Sequence, residues 1–205
     1  MAKPKKAAKR AAKAAKRADI EQTHRATTHP DGPVAQVAGK ASELADQPPL
    51  IAICAATILL GATMRRPAVL RSGVRMLASH LLATAAKSVL KASIDRTRPA
   101  RAVKEGHRIE KGTGAKDSSL NSFPSGHTAG AVAVAQAVAT ESTAAGLPLQ
   151  VAALGVAAMQ PVRGKHYMSD VLAGAAIGWV AERIAHAGLR AGEAGLKAGI
   201  ARWKA

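Results

Sequence analysis

Lys91 and Arg98 stand seven residues apart in the run KASIDRTRP, about two helical turns, so both can project from one face. Two cations converging there suit a dianionic phosphate, with Arg98 offering forked donors. A helix C-terminus that favours cations, followed by a proline stop at Pro99, accounts for the same residues. A second cluster, Ser122-Phe123-Pro124-Ser125-Gly126-His127, places Ser125 and Gly126 where a helix would begin. The free N–H groups of a first helical turn bind anions, glycine lets a ligand approach the backbone, and His127 there can hand a proton to a leaving oxygen. An ordinary serine N-cap beside an incidental histidine is the simpler alternative. In the third cluster, His166 and Asp170 are four apart and share a face of a helical turn. A carboxylate bonded to one ring nitrogen fixes the tautomer and leaves the other nitrogen nucleophilic. An acid that only favours a helix start, next to an exposed histidine, explains the pair equally simply.

The elements that must position these residues are apolar runs at 50–64, 68–92, 126–145, 147–162 and 169–187. All five are helix-like and none alternates as a strand would. Hydrophobic residues make up 48% of the 205-residue chain and aromatics 2%, so the apolar mass is Ala, Val, Leu and Ile, suited to closely packed helices. A single cysteine, Cys54, excludes an intramolecular disulfide framework and a multi-cysteine zinc site. Five apolar helices in succession leave little surface to be polar, and their hydropathy and length predict embedding in a membrane, although 50–64 is short for a span of about 20 residues. The expected architecture is an all-α, membrane-embedded bundle of about five apolar helices, occupying residues 49–188.

Outside it lie two basic segments. Eight cations from Lys3 to Arg17 precede the first acid, Asp19, and contribute nearly half of a net charge of +17. Residues 1–48 read as a basic tail and linker, largely disordered or amphipathic, and 189–205 as a basic C-terminal tail. Attachment of the N-terminal tail to anionic lipid fits at about 1 kcal/mol per cation near the surface. Nucleic acid is the rival ligand for such an arm, and we do not adopt it. The tail is not a secretory signal, because no apolar stretch follows it closely.

Taken in order, K-x6-RP, PSGH and H-x3-D resemble the signature of the type 2 phosphatidic acid phosphatase family, within the wider superfamily of acid phosphatases and vanadium haloperoxidases. The resemblance covers roughly residues 50–188. It implies a four-helix catalytic core, no metal and no cofactor. It also implies that Lys91, Arg98, Ser125 and Gly126 hold the phosphate, that His127 protonates the leaving group, that His166 forms a phosphohistidine, and that Asp170 orients His166. Such chemistry needs positioning and charge stabilisation above all. The family's third motif carries an arginine six residues before the nucleophile, where this chain has Gln160. The expected stand-ins for that cation are Arg163 and Gln160 itself, and an arginine restored at 160 is expected to improve phosphate binding.

The resulting expectation is a metal-independent phosphatase of a lipid phosphate or isoprenoid (pyro)phosphate in a bacterial inner membrane. The alternatives are a soluble acid phosphatase of the same superfamily and a degenerate, non-catalytic binder of phosphate or anionic lipid. Five spans put the tail and all three motifs on one side by parity. That side carries more Lys and Arg, which predicts a cytoplasmic active site.

Overall fold

The computed structural model of the chain describes residues 4–27, 32–114 and 117–203. Eight α-helices account for nearly all regular structure: α1 Pro4–Ala26, α2 Pro33–Ser42, α3 Gln47–Thr63, α4 Pro67–Ser93, α5 Pro99–Glu105, α6 Gly126–Glu141, α7 Thr143–Val162 and α8 Met168–Trp203. A small antiparallel ribbon pairs β1 Ile94–Arg96 with β2 Ile109–Lys111. The all-α expectation holds.

The five apolar runs are helices α3, α4, α6, α7 and α8, with shifted ends. The third run stops at Glu141 because Ser142 takes an extended conformation and caps α7, accepting from the Ala145 N–H at 3.3 Å. The last helix continues without a break to Trp203, through the segment set aside as a C-terminal tail, and is exposed from Arg190 onward. The basic N-terminal stretch is also helical where described, as α1 and α2. The 100–124 connection carries α5, β2 and a 3-10 turn at Ser118–Leu120.

Helices α4, α6 and α8 pack against one another, α3 lies on α4, and α7 lies on α6. Small residues make this possible. Ala83, Ala129, Ala133 and Ala181 form one buried cluster, and Cys54 joins Leu50, Met76 and Val134 in another. At Gly174 and Gly178 a side chain would collide with the carbonyls of Ser125 and Ala129. These glycines bring the backbone of α8 against the start of α6, and so bring the third cluster to the second.

The outer face is apolar: Leu59, Val89, Leu154 and Leu172 are each about two-thirds exposed. The interior carries charge instead, with Arg75 bound to Glu141 at 3.1 Å and Glu182 wholly buried against Thr140 and Arg183. Among the described residues, α7 is by length and composition apolar enough to cross a membrane, and Gln36–Ala45 with Gln47–Thr63 passes the same test only when the two, bent by 60°, are counted as one span.

Candidate active site

All three clusters meet at one end of the bundle. The ribbon explains how the first two join. Arg96 bridges to Asn121, and the Ser122 N–H donates to the Arg96 carbonyl at 3.1 Å. The chain leaving α4 therefore lies beside the chain entering α6.

His166 sits between α7 and α8, 3% exposed. Its Nδ1 donates to the Ser122 carbonyl at 2.6 Å. That bond holds the proton on Nδ1 and leaves the lone pair on Nε2. The Asp170 carboxylate is 3.8 Å from Nδ1, beyond hydrogen-bonding range. The expected direct orientation by Asp170 is thus replaced by the Ser122 carbonyl, with Asp170 adding charge at slightly longer range. Asp170 itself is wholly buried and fully held. It accepts from the Ser122 hydroxyl at 2.6 Å, the Tyr167 N–H at 2.9 Å and Arg96 Nη1 at 2.5 Å. Burial pushes the His166 pKa below its ordinary value; Asp170 opposes this, while Lys91 and Arg98 add to it.

Lys91 Nζ donates to the Asn121 carbonyl at 2.7 Å, which leaves two of its three donors for another acceptor. Arg98 Nε is buried without a partner, and burial lowers the guanidinium's pKa. An unpaired buried donor of this kind is costly unless an acceptor arrives. Lys87 joins them: a side chain at Gly126 would press on its ammonium at 3.1 Å. The i, i+4 spacing of Lys87 and Lys91 puts both on one face of α4.

Ser125 is the N-cap of α6. Its hydroxyl accepts from the Thr128 N–H at 3.4 Å and pairs with the Thr128 hydroxyl at 2.9 Å, while its own N–H donates to the Asp170 carbonyl. His127 follows in the first turn. Its Nε2 is buried without a hydrogen bond, 3.5 Å from Glu43 Oε2.

The two stand-ins for the third-motif cation are turned elsewhere. Gln160 is wholly buried. Its amide donates back to the Val156 carbonyl at 3.0 Å, and its Oε1 has no partner. Arg163 clamps the end of α2, donating to the Gly39 carbonyl and the Ser42 hydroxyl at 3.0 Å and to Glu43 at 2.6 Å. Lys165 reaches the same Glu43 oxygen at 2.8 Å. The hydrogen bond from Lys165, reinforced by Arg163, lowers the Glu43 pKa to about 2. Among the described residues, Glu43, Asp46 and His127 have ligand atoms close enough to share a metal ion, but two cations already compete for Glu43.

The sequence of residues 72–191 matches the family model of the PAP2 superfamily. The chain belongs to that superfamily. The match spans most of α4 to the exposed part of α8 and leaves α1, α2 and α3 outside. Two solved structures share the fold. LpxE of Aquifex aeolicus is 19% identical with a TM-score of 0.62, over 81% of this chain and 93% of that one. A transmembrane PAP2 type phosphatidylglycerolphosphate phosphatase from Bacillus subtilis is 22% identical with a TM-score of 0.63, over 85% of each chain. No curated protein matches the sequence.

Within this PAP2 chain, sequence reasoning missed Arg96, Ser122, Glu43 and Asp19. Arg96 and Ser122 lay inside quoted clusters and were given no role. Glu43 and Asp19 lay in the segment read as tail and linker.

Proposed function

We propose that this protein is a membrane phosphatase that hydrolyses a lipid phosphate or isoprenoid (pyro)phosphate through a phosphohistidine on His166. The single observation that carries this reading is the His166 imidazole, held at Nδ1 by Ser122 at 2.6 Å, at the bundle end that also holds the unpartnered Arg98 Nε.

In this reading His166 Nε2 attacks phosphorus while Lys91 and Arg98, with Lys87 nearby, neutralise the phosphoryl oxygens. The N–H groups opening α6 at Gly126 add donors. His127 gives a proton to the departing oxygen. It then takes one from water, which attacks the phosphohistidine and frees inorganic phosphate together with neutral His166. Arg163 and Gln160 stay outside this set, because one clamps α2 and the other points back along α7. Asp170 acts through charge and through its bond to Ser122.

The apolar outer face supports a membrane setting, with the body embedded as a multi-pass bundle. An apolar cavity of about 630 Å³ between α2, α3, α6 and α7 supports a substrate with a hydrocarbon tail. Ser42 and Leu44, which flank Glu43, line it, as does Ala131, one turn from His127. The exposed cations of α1 fit anionic headgroups near the site, and the excess of Lys and Arg at this end favours the cytoplasmic side.

Phosphate release from phosphatidic acid, phosphatidylglycerolphosphate and an isoprenoid pyrophosphate, each in detergent micelles with the purified protein, tests the reading. Release that vanishes in His166→Ala and persists with chelator supports it. No release from any of the three favours the degenerate binder, for which Gln160 and Arg163 speak.

A further inference from the structure

Asp19 is the first acid after eight cations, lies far outside the PAP2 match, and is nevertheless among the most engaged carboxylates in the molecule. Its Oδ1 accepts from the Ser169 N–H at 2.9 Å, and its Oδ2 accepts from the Ser169 hydroxyl at 2.6 Å and from Arg96 Nη2 at 2.7 Å. It therefore caps the Ser169 N–H at the start of α8, where a carboxylate is favoured. The same Arg96 holds Asp170 through Nη1 and lies over the Tyr167 ring at 4.0 Å. Asp19, Arg96 and Asp170 form a carboxylate–guanidinium–carboxylate triad in which Arg96 is 6% exposed and Asp170 fully buried.

Two threonines extend the attachment. Thr23, wholly buried, accepts from the Met168 N–H at 3.3 Å, and Thr27 donates to the Pro161 carbonyl at 3.0 Å. Pro161 and Met168 bracket the segment that carries His166. Asp19 and Thr23 on α1, with Thr27 just past its end, thus fasten both ends of that segment, while the cations from Lys6 to Arg17 stay exposed.

We propose that the basic arm is part of the catalytic assembly: Asp19 is a positioning residue that acts through Arg96 on Asp170 and fixes the start of α8 beneath His166. This rests on the reading of His166 as nucleophile. Removing the Asp19 carboxylate frees Arg96 Nη2 and the Ser169 N–H, loosens the grip on Asp170, and lets the His166 segment drift from its attacking position. The effect falls on turnover, because no substrate-binding cation is touched.

The test compares Asp19→Asn, Asp19→Glu and, as a control on the same helix, Glu21→Gln, whose exposed carboxylate pairs only with Arg25 among the described contacts. Phosphate release is measured alongside amide hydrogen exchange. Asp19→Asn should lower kcat roughly 10- to 100-fold, the cost of a slightly misplaced reacting group, with KM changed by less than about twofold. Asp19→Glu should recover part of the loss, and Glu21→Gln should match wild type. Exchange at Met168 to Val171 should quicken in Asp19→Asn while α6 stays protected. Wild-type kcat with unchanged exchange at Ser169 overturns the proposal, and so does faster exchange throughout the bundle, which would make Asp19 a general fold residue. A wild-type protein that releases no phosphate defeats the reading of His166; exchange at Ser169 then decides the coupling alone.

Discussion

The Ser122 hydroxyl donates to Asp170 at 2.6 Å while the carbonyl of the same residue receives the His166 Nδ1–H, also at 2.6 Å. Ser122 thus links the carboxylate to the imidazole that it does not touch directly. Ser122→Ala keeps the carbonyl and deletes the hydroxyl, so it should lower kcat roughly tenfold, the equivalent of about 1.4 kcal/mol, and leave KM nearly unchanged. Asp170→Asn should cost more, because Arg96 then loses a buried anionic partner. Steady-state phosphate release for the two variants checks the ranking.

Burial holds the His166 pKa below 6.5, its ordinary value, against the pull of Asp170. A nucleophilic imidazole must be neutral. The acid limb of the kcat/KM profile should therefore lie below pH 6.5, with activity falling as pH drops through the folded-state pKa. The sign for stability is the same: between that pKa and 6.5 the unfolded chain binds more protons at this histidine, so folding weakens as pH falls. A pH series of kcat/KM with a substrate that does not titrate in this range measures the limb.

Gln160→Arg was expected from sequence to restore a missing phosphate-binding cation. The geometry favours the opposite outcome, because the Gln160 side chain is wholly buried and bonded back to Val156. An arginine there places a charge in the bundle without a partner and should destabilise the fold by about 3 kcal/mol or more. Thermal unfolding in detergent should show a lowered Tm and no gain in KM.

Glu43 binds the α2 end of the chain to Arg163 and Lys165. Its pKa of about 2 lies below the ordinary 4.5, so its contribution is complete above pH 4.5 and is lost as pH falls toward 2. Glu43→Gln should loosen this segment already at neutral pH. Limited proteolysis within residues 32–46 should be faster in the variant at pH 7 and should rise in wild type over that acid range.

Much of the body was legible because its signals are local. Apolar runs of helical length and Ser125 capping α6 each declare an element within a few residues. The three clusters were each visible as short motifs, and the fold brings them together at one end of the bundle. What stayed hidden depends on contacts between distant segments. Asp19 meets Ser169 across 150 positions and Arg96 meets Asp170 across 74, and neither leaves a periodic trace. The arm looked solvated because residues 5–17 are Lys, Arg and Ala throughout; one acid and two threonines decide where it docks. Gln160 and Arg163 were misplaced for a related reason. The family resemblance put them close to His166, but the rotamer of one and the partner of the other are set by α7 and α2.

The most direct test of the central claim is acid- or base-quenched trapping of labelled phosphoryl enzyme from a radiolabelled lipid phosphate, followed by peptide mapping. The account predicts an acid-labile, base-stable label on the peptide containing His166, formed at the rate of substrate consumption, absent in His166→Ala, and accumulating in His127→Ala where the leaving group needs no proton. Turnover with the label on another residue, or full turnover in His166→Ala, would contradict it.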